Sequence, residues 1–251
     1  MKYLDKHNQL FYNGKSLADF GVTISGPGVY NAPAWDIERV TVPGRHGDLL
    51  IPHERLEMIE VTYHGVMISD NIPGQVQDLR DYLYRVGSLG LKEIRDTYNT
   101  GTYRLGIFQG PLNIEPAAMH KAAEGDLVFL CDPRRFLVSS DQSVQAGGSL
   151  VLTAPALSGG AFRSEPLITV YGTGSITLGG AEFTVTEIPI SASQYSGLIL
   201  DCEAMVAYDK DGVIRNDCVS PVYYWPKIQG GETIVNNTSN AIQVNARWWT
   251  V

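Results

Sequence analysis

Ile242-Gln243-Val244-Asn245-Ala246-Arg247-Trp248-Trp249, close to the C-terminus, sets apolar against polar side chains with a period of two. That period sends successive side chains to opposite faces of a strand, so Ile242, Val244, Ala246 and Trp248 are expected to point into a core. Gln243, Asn245, Arg247 and Trp249 are expected on the other face. The same reading applies upstream, where Ile59, Val61 and Tyr63 alternate with Glu60, Thr62 and His64. Phe11-Tyr12 before Asn13-Gly14 predicts an opening hairpin. Ile176 and Leu178 before Gly179-Gly180, returning at Phe183 and Val185, predict another. A further pair is expected from Leu198 to Tyr208, turning at Asp211-Gly212 and continuing at Val213-Ile214. With 26 glycines and 13 prolines among 251 residues, the chain has turn residues for many short strands, and a mainly β fold follows.

One helix interrupts this pattern. Val76, Leu79, Leu83 and Val86 form a single apolar stripe, with Asp70 or Asn71 as cap, Pro73 in the first turn and Gly87 as stop. Residues 25–54 differ again, because Gly26-Pro27-Gly28, Pro33, Pro43-Gly44, Gly47 and Pro52 punctuate short apolar stretches. An extended arm is expected there, carrying Val29, Tyr30, Trp35, Ile37, Val40, Leu49, Leu50 and Ile51. Strands resume at Tyr103 to Phe108 and Asp126 to Leu130, after which the Ser/Gly/Gln-rich stretch 139–149 reads as a linker. The expected division is therefore 1–138, a linker over 139–149, and a sandwich over 150–251.

Charge narrows the partners. With 27 acidic against 19 basic residues the net charge is −8, and no Lys/Arg cluster occurs, so sequence-specific nucleic-acid binding is not expected. Apolar runs such as Leu127-Val128-Phe129-Leu130 are far shorter than the roughly 20 residues of a membrane span. Met1 to Gly14 shows no apolar stretch of the signal-peptide kind, so no membrane association is expected. Cys131, Cys202 and Cys218 are odd in number and lack CxxC spacing, which argues for reduced packing cysteines and against a zinc site.

Catalytic and ligand motifs fail on inspection. His53-Glu54-Arg55-Leu56-Glu57 starts like a zinc-protease helix but ends in Glu57 where the second histidine belongs. His46 sits in a glycine turn and His64 at a polar strand position. No Gly-x-Ser-x-Gly elbow occurs. Asp209-Lys210-Asp211-Gly212 opens like a calcium loop, yet the twelfth position is Ser220, so a turn is expected. Gly172-Thr173-Gly174 lacks the following helix that holds a phosphate. The one ligand alternative of substance is a sugar face made of Gln243, Asn245, Arg247 and Trp249, polar planar groups beside an aromatic ring. Neither a catalytic residue nor a cofactor or metal is expected.

Taken in order, several segments resemble the siphophage distal tail (Dit) family in its short form. In the first half they are Asp19-Phe20-Gly21-Val22, the turn from Val42 to Leu50, the helix after Ile72, and Val128 to Phe136. In the second half they are Ser164 to Val170, Gly172 to Gly174, Leu200 to Glu203, Trp225 to Ile228 and the final strand. The resemblance implies an N-terminal β-sandwich or split-barrel-like domain with one helix and an extended β-hairpin arm, followed by a galectin-like β-sandwich without an inserted carbohydrate-binding module. It also implies a non-enzymatic hub at the virion tail tip, made in the bacterial host cytoplasm. Six copies would form a ring joining the tail tube protein to the tip fibre or tail-associated lysin, with receptor-binding proteins docked outside and DNA passing through the channel. Trp35, Val42, Pro43, Gly44, Arg45, Gly47, Asp48 and Leu49 are the expected ring and tube contacts. The alternative function is a lectin-like host-adhesion module.

Overall fold

The computed structural model describes residues 8–25, 30–117, 121–138, 142–154, 162–188, 197–220 and 224–251; Val29 of the expected arm lies outside them. The fold is mainly β, with antiparallel sheets, a curled half-barrel and, among the described residues, one α-helix. It divides into two compact units between Arg135 and Phe136.

In the first unit, Asn13 (φ 49°) and Gly14 (φ 78°) turn the chain between Leu10–Tyr12 and Lys15–Ser16. Two consecutive left-handed residues match the twist of a tight hairpin. The main sheet then runs in the order Lys15–Ser16, Leu10–Tyr12, Lys92–Asp96, Thr102–Phe108, Ala122–Cys131, Ile59–Ile68 and Val22–Ser25. The strand Asn113–Ala117 adds to the start of Ala122–Cys131. Ile59, Val61, Tyr63 and Met67 face inward while Glu60 and Ile68 are exposed and Thr62 and His64 half-buried, as the period of two requires.

The helix spans Ile72–Gly87, and the Asn71 side chain accepts a hydrogen bond from Gly74 N at 3.3 Å. Its buried face carries Leu79, Tyr82, Leu83 and Val86, packed in one core with Tyr12, Tyr63, Phe108 and Phe129. The Phe129 ring lies 5.2 Å from Tyr12, 6.0 Å from Tyr63 and 5.6 Å from Phe108, all edge-on. Burial, followed by the Asp96 carboxylate that its hydroxyl reaches at 3.0 Å, pushes the Tyr63 phenol well above its usual pKa. Removing the cap by Asn71→Ala is expected to cost about 1 kcal/mol, read in chemical unfolding of this unit.

Among the described residues, the second unit is a sandwich of two sheets of five strands each. One has the order Gln142–Val144, Ile242–Asn245, Leu167–Val170, Leu198–Asp201, Val206–Tyr208. The other runs Ser149–Leu152, Glu232–Thr238, Gly174–Leu178, Ala181–Val185, Val219–Ser220. Ile168, Val170, Leu200, Val244, Ile176, Phe183 and Ile234 fill the space between them. Cys131, Cys202 and Cys218 are free and buried, and burial pushes the Cys131 and Cys202 thiols up to about 12.

Three expectations need correction. The described part of 139–149 is not a linker: Gln142–Val144 pairs with Ile242–Val244, and Ser149 opens a strand paired with Glu232–Val235. Serine, glycine and glutamine there serve an edge strand and a turn, so the second unit begins near Phe136 instead of 150. The pair begun at Leu198–Asp201 turns at 202–205, and beyond Asp211-Gly212 only an isolated bridge joins Ile214 to Tyr208. The last strand stops at Asn245, since Arg247 takes a left-handed φ of 46°, and a short strand Trp249–Thr250 follows. Burial still alternates through Trp248, which is why the sequence looked continuous.

Candidate functional site

The strongest candidate site is a protruding hairpin. Trp35–Val40 and Leu49–Leu56 pair only with each other, leaving both outer edges unpaired among the described residues. Val40 faces Leu49, Arg39 faces Leu50, Glu38 faces Ile51, Ile37 faces Pro52 and, after a bulge, Trp35 faces Leu56. Because facing residues share a face, Trp35, Ile37, Leu50, Pro52 and Leu56 form one largely apolar side with Arg39 near the tip. Trp35 is 55% exposed and Leu50 57%, so the described residues leave these two side chains largely uncovered.

The opposite side carries a charged network beside Val40, Leu49 and Ile51. Arg55 Nε donates to Asp36 Oδ2, and His53 reaches Asp36 at 3.2 Å and Glu38 at 3.7 Å. The hydrogen bond from Arg55 is the main reason the Asp36 carboxyl titrates below its usual range, with His53 adding to it. A lowered carboxylate pKa means that this support is complete above the ordinary value near ~4 and fades as pH falls through the folded value. Glu57 N donates to Ala34 O at 3.0 Å and closes the base.

At the tip, Arg45 N donates to Val42 O at 3.2 Å and Thr41 Oγ1 to Asp48 Oδ1 at 3.1 Å. Gly44 (φ 81°) and Gly47 (φ 79°) both need the left-handed region, which explains glycine at these two positions. The expected contact residues Val42, Pro43, Gly44, Arg45, Gly47, Asp48 and Leu49 thus lie together at the tip and Trp35 at the base, all exposed. Sequence reading missed the Asp36, Glu38, His53 and Arg55 network. Its signal was present as two alternating charged pairs in strands that face each other, but His53-Glu54 drew attention as a failed metal motif instead.

The expected sugar face is engaged within its own unit. Arg247 Nη2 donates to Asp201 Oδ1 at 2.6 Å and its Nε to Glu165 O at 2.8 Å, with Glu203 3.6 Å from Nη1. Trp249 Nε1 donates to Glu165 Oε2 at 2.7 Å, and the Tyr171 hydroxyl donates to Gln243 Oε1 at 3.0 Å. Asn245 Oδ1 accepts from Arg247 N at 3.0 Å, which holds the left-handed turn. These groups staple the end of the chain to the sandwich. Arg247→Ala is expected to lower the stability of this unit by roughly 1.5–3 kcal/mol, the usual range for hydrogen bonds to charged groups, and to change no signal on a glycan array. Loss of a wild-type glycan signal in this variant would restore the lectin alternative.

Asp209 is a structural turn residue. Its carboxylate, 1% exposed, accepts from Asp211 N and Val213 N at 3.0 Å each. His64 lies 3.0 Å from Asp126 and 3.8 Å from Glu124 on the sheet surface. Among the described residues no group of three or more His, Cys, Asp or Glu is arranged to hold a metal ion.

No family model and no curated protein sequence matches the chain. Among solved structures, it is similar to the Dit (gp 19.1) protein of SPP1, described as a paradigm of the hub adsorption apparatus in phages infecting Gram-positive hosts. The TM-score is 0.64 at 15% identity, over 96% of this chain and 97% of that one. A chain of the phage P2 baseplate in its activated conformation with Ca aligns at TM-score 0.51 and 8% identity, over 94% of this chain and 97% of that one. Along almost its whole length, then, this chain has the fold seen in SPP1 Dit.

Proposed function

We propose that the chain is a structural, non-enzymatic hub of a phage tail tip. Six copies form a ring that joins the tail tube to the tip fibre or tail-associated lysin, with receptor-binding proteins outside and DNA passing through the channel. Its place is the virion tail tip, after synthesis in the bacterial host cytoplasm. The observation that carries this reading is the exposed apolar side of the hairpin arm on a domain with the Dit fold.

An isolated two-stranded hairpin is marginally stable in water, so an arm with an uncovered apolar side gains from docking. Burying Trp35, Ile37, Leu50 and Leu56 at roughly 1.5–3 kcal/mol each offsets much of an association cost of about 4–15 kcal/mol. An arm that docks on the next copy makes a head-to-tail contact, and such contacts close into rings when the rotation fits. A net charge of −8 per copy disfavours adhesion of DNA passing through. Mass photometry of the purified chain is expected to give six times 27.5 kDa. A single-copy mass at micromolar concentration, unchanged by added tail tube protein, would remove the ring.

A further inference from the structure

Arg104, on the strand Thr102–Phe108, is 3% exposed. Its guanidinium donates to three backbone carbonyls on two separate segments: Asn31 O at 3.3 Å from Nη2, Pro133 O at 3.2 Å and Asp132 O at 3.5 Å from Nη1. Asn31 lies where the chain leaves the body for the arm, four residues before Trp35. Asp132 and Pro133 follow the strand Ala122–Cys131. Burial, then the nearby Arg135 charge, pushes the Arg104 pKa down to about 10, and its Nε has no hydrogen-bond partner among the described residues. A cation held in so unfavourable a place is a poor filler of volume, since an apolar chain of similar size would fill it without the desolvation cost. What an apolar chain lacks is the planar fork that bonds several carbonyls at once.

We propose that Arg104 is a positioning residue that clamps the root of the arm to the first unit and so fixes the direction in which the arm projects. The clamp itself is a property of the single chain. Its consequence for assembly rests on the docking role proposed above, because an arm free to swing at its root loses more freedom on docking and binds more weakly.

The measurement is the distance distribution between spin labels introduced by His46→Cys at the arm tip and Asp78→Cys on the exposed side of the helix, diluted with unlabelled chain. The three native thiols are buried, which keeps labelling to the new sites. Against the otherwise unchanged chain, Arg104→Met is expected to broaden the distribution at least twofold, and Arg104→Lys, with the charge but not the fork, to fall between the two. Equal widths in all three would overturn the clamp. If Arg104→Met does not fold, the lysine variant decides: a width equal to that of the unchanged chain counts against the clamp and a broader one supports it. Mass photometry on the same samples separates the two readings. A single-copy chain with a narrow distribution removes the ring and leaves the clamp, and an Arg104→Met chain with a broad distribution that still assembles as tightly removes the link between them.

Discussion

Excising the arm, residues 35–56, and joining Ala34 to Glu57 through a short Gly/Ser linker is expected to give a folded chain that no longer assembles. The join is geometrically easy, because Glu57 N already donates to Ala34 O at 3.0 Å. Neither body should notice the loss, since among the described residues the two arm strands pair only with each other and their large apolar residues stay out of both cores. Thermal unfolding should therefore move by less than about 2 °C, on the scale where 1 kcal/mol shifts a domain of this size by several degrees. Assembly should weaken by at least about 10⁴-fold, because losing four buried apolar side chains removes about 6 kcal/mol or more and each 1.4 kcal/mol is a factor of ten. A deleted chain that assembles like the wild type would show that the contact lies elsewhere on the body.

The second large effect is on stability. Phe129 is fully buried at the centre of the first core, ringed by Tyr12, Tyr63 and Phe108. Phe129→Ala leaves a cavity that packed aromatic neighbours cannot close, and the expected cost is about 3–5 kcal/mol. That corresponds to a fall of roughly 10–20 °C in the unfolding of this unit. The second unit has its own core around Phe183, whose ring lies 5.2 Å from Trp225. Its transition should stay in place, so calorimetry of the variant should split into two transitions. One transition that moves as a whole would mean that the units unfold as one.

Local chemistry explains what the sequence made legible. Asn71 and Pro73 mark the start of the helix Ile72–Gly87 because each acts within a turn of where it stands, whereas Gly87, the expected stop, is the last helical residue and the cap falls on Ser88. Asn13-Gly14 and Gly179-Gly180 mark hairpins for the same reason, through their positive φ angles. The hairpin arm was legible as apolar residues broken by proline and glycine, though not as a pairing of Trp35–Val40 with Leu49–Leu56. The misreadings come from tertiary context. Gln142–Val144 looks like a linker because an edge strand needs few apolar residues, and its partner Ile242–Asn245 lies about a hundred residues away. The bond from Arg247 to Asp201 was not legible either, because nothing nearby in sequence announces a partner forty-six residues earlier.

In the assembled ring the apolar side of the arm is expected to be covered by another copy of the same chain. A photo-crosslinking phenylalanine analogue in place of Leu50, with crosslinked peptides identified by mass spectrometry after mixing isotope-labelled and unlabelled protein, tests it directly. Mixed-isotope peptides joining the arm of one copy to the body of another are expected. Same-isotope peptides alone, joining the arm to its own body, would contradict it.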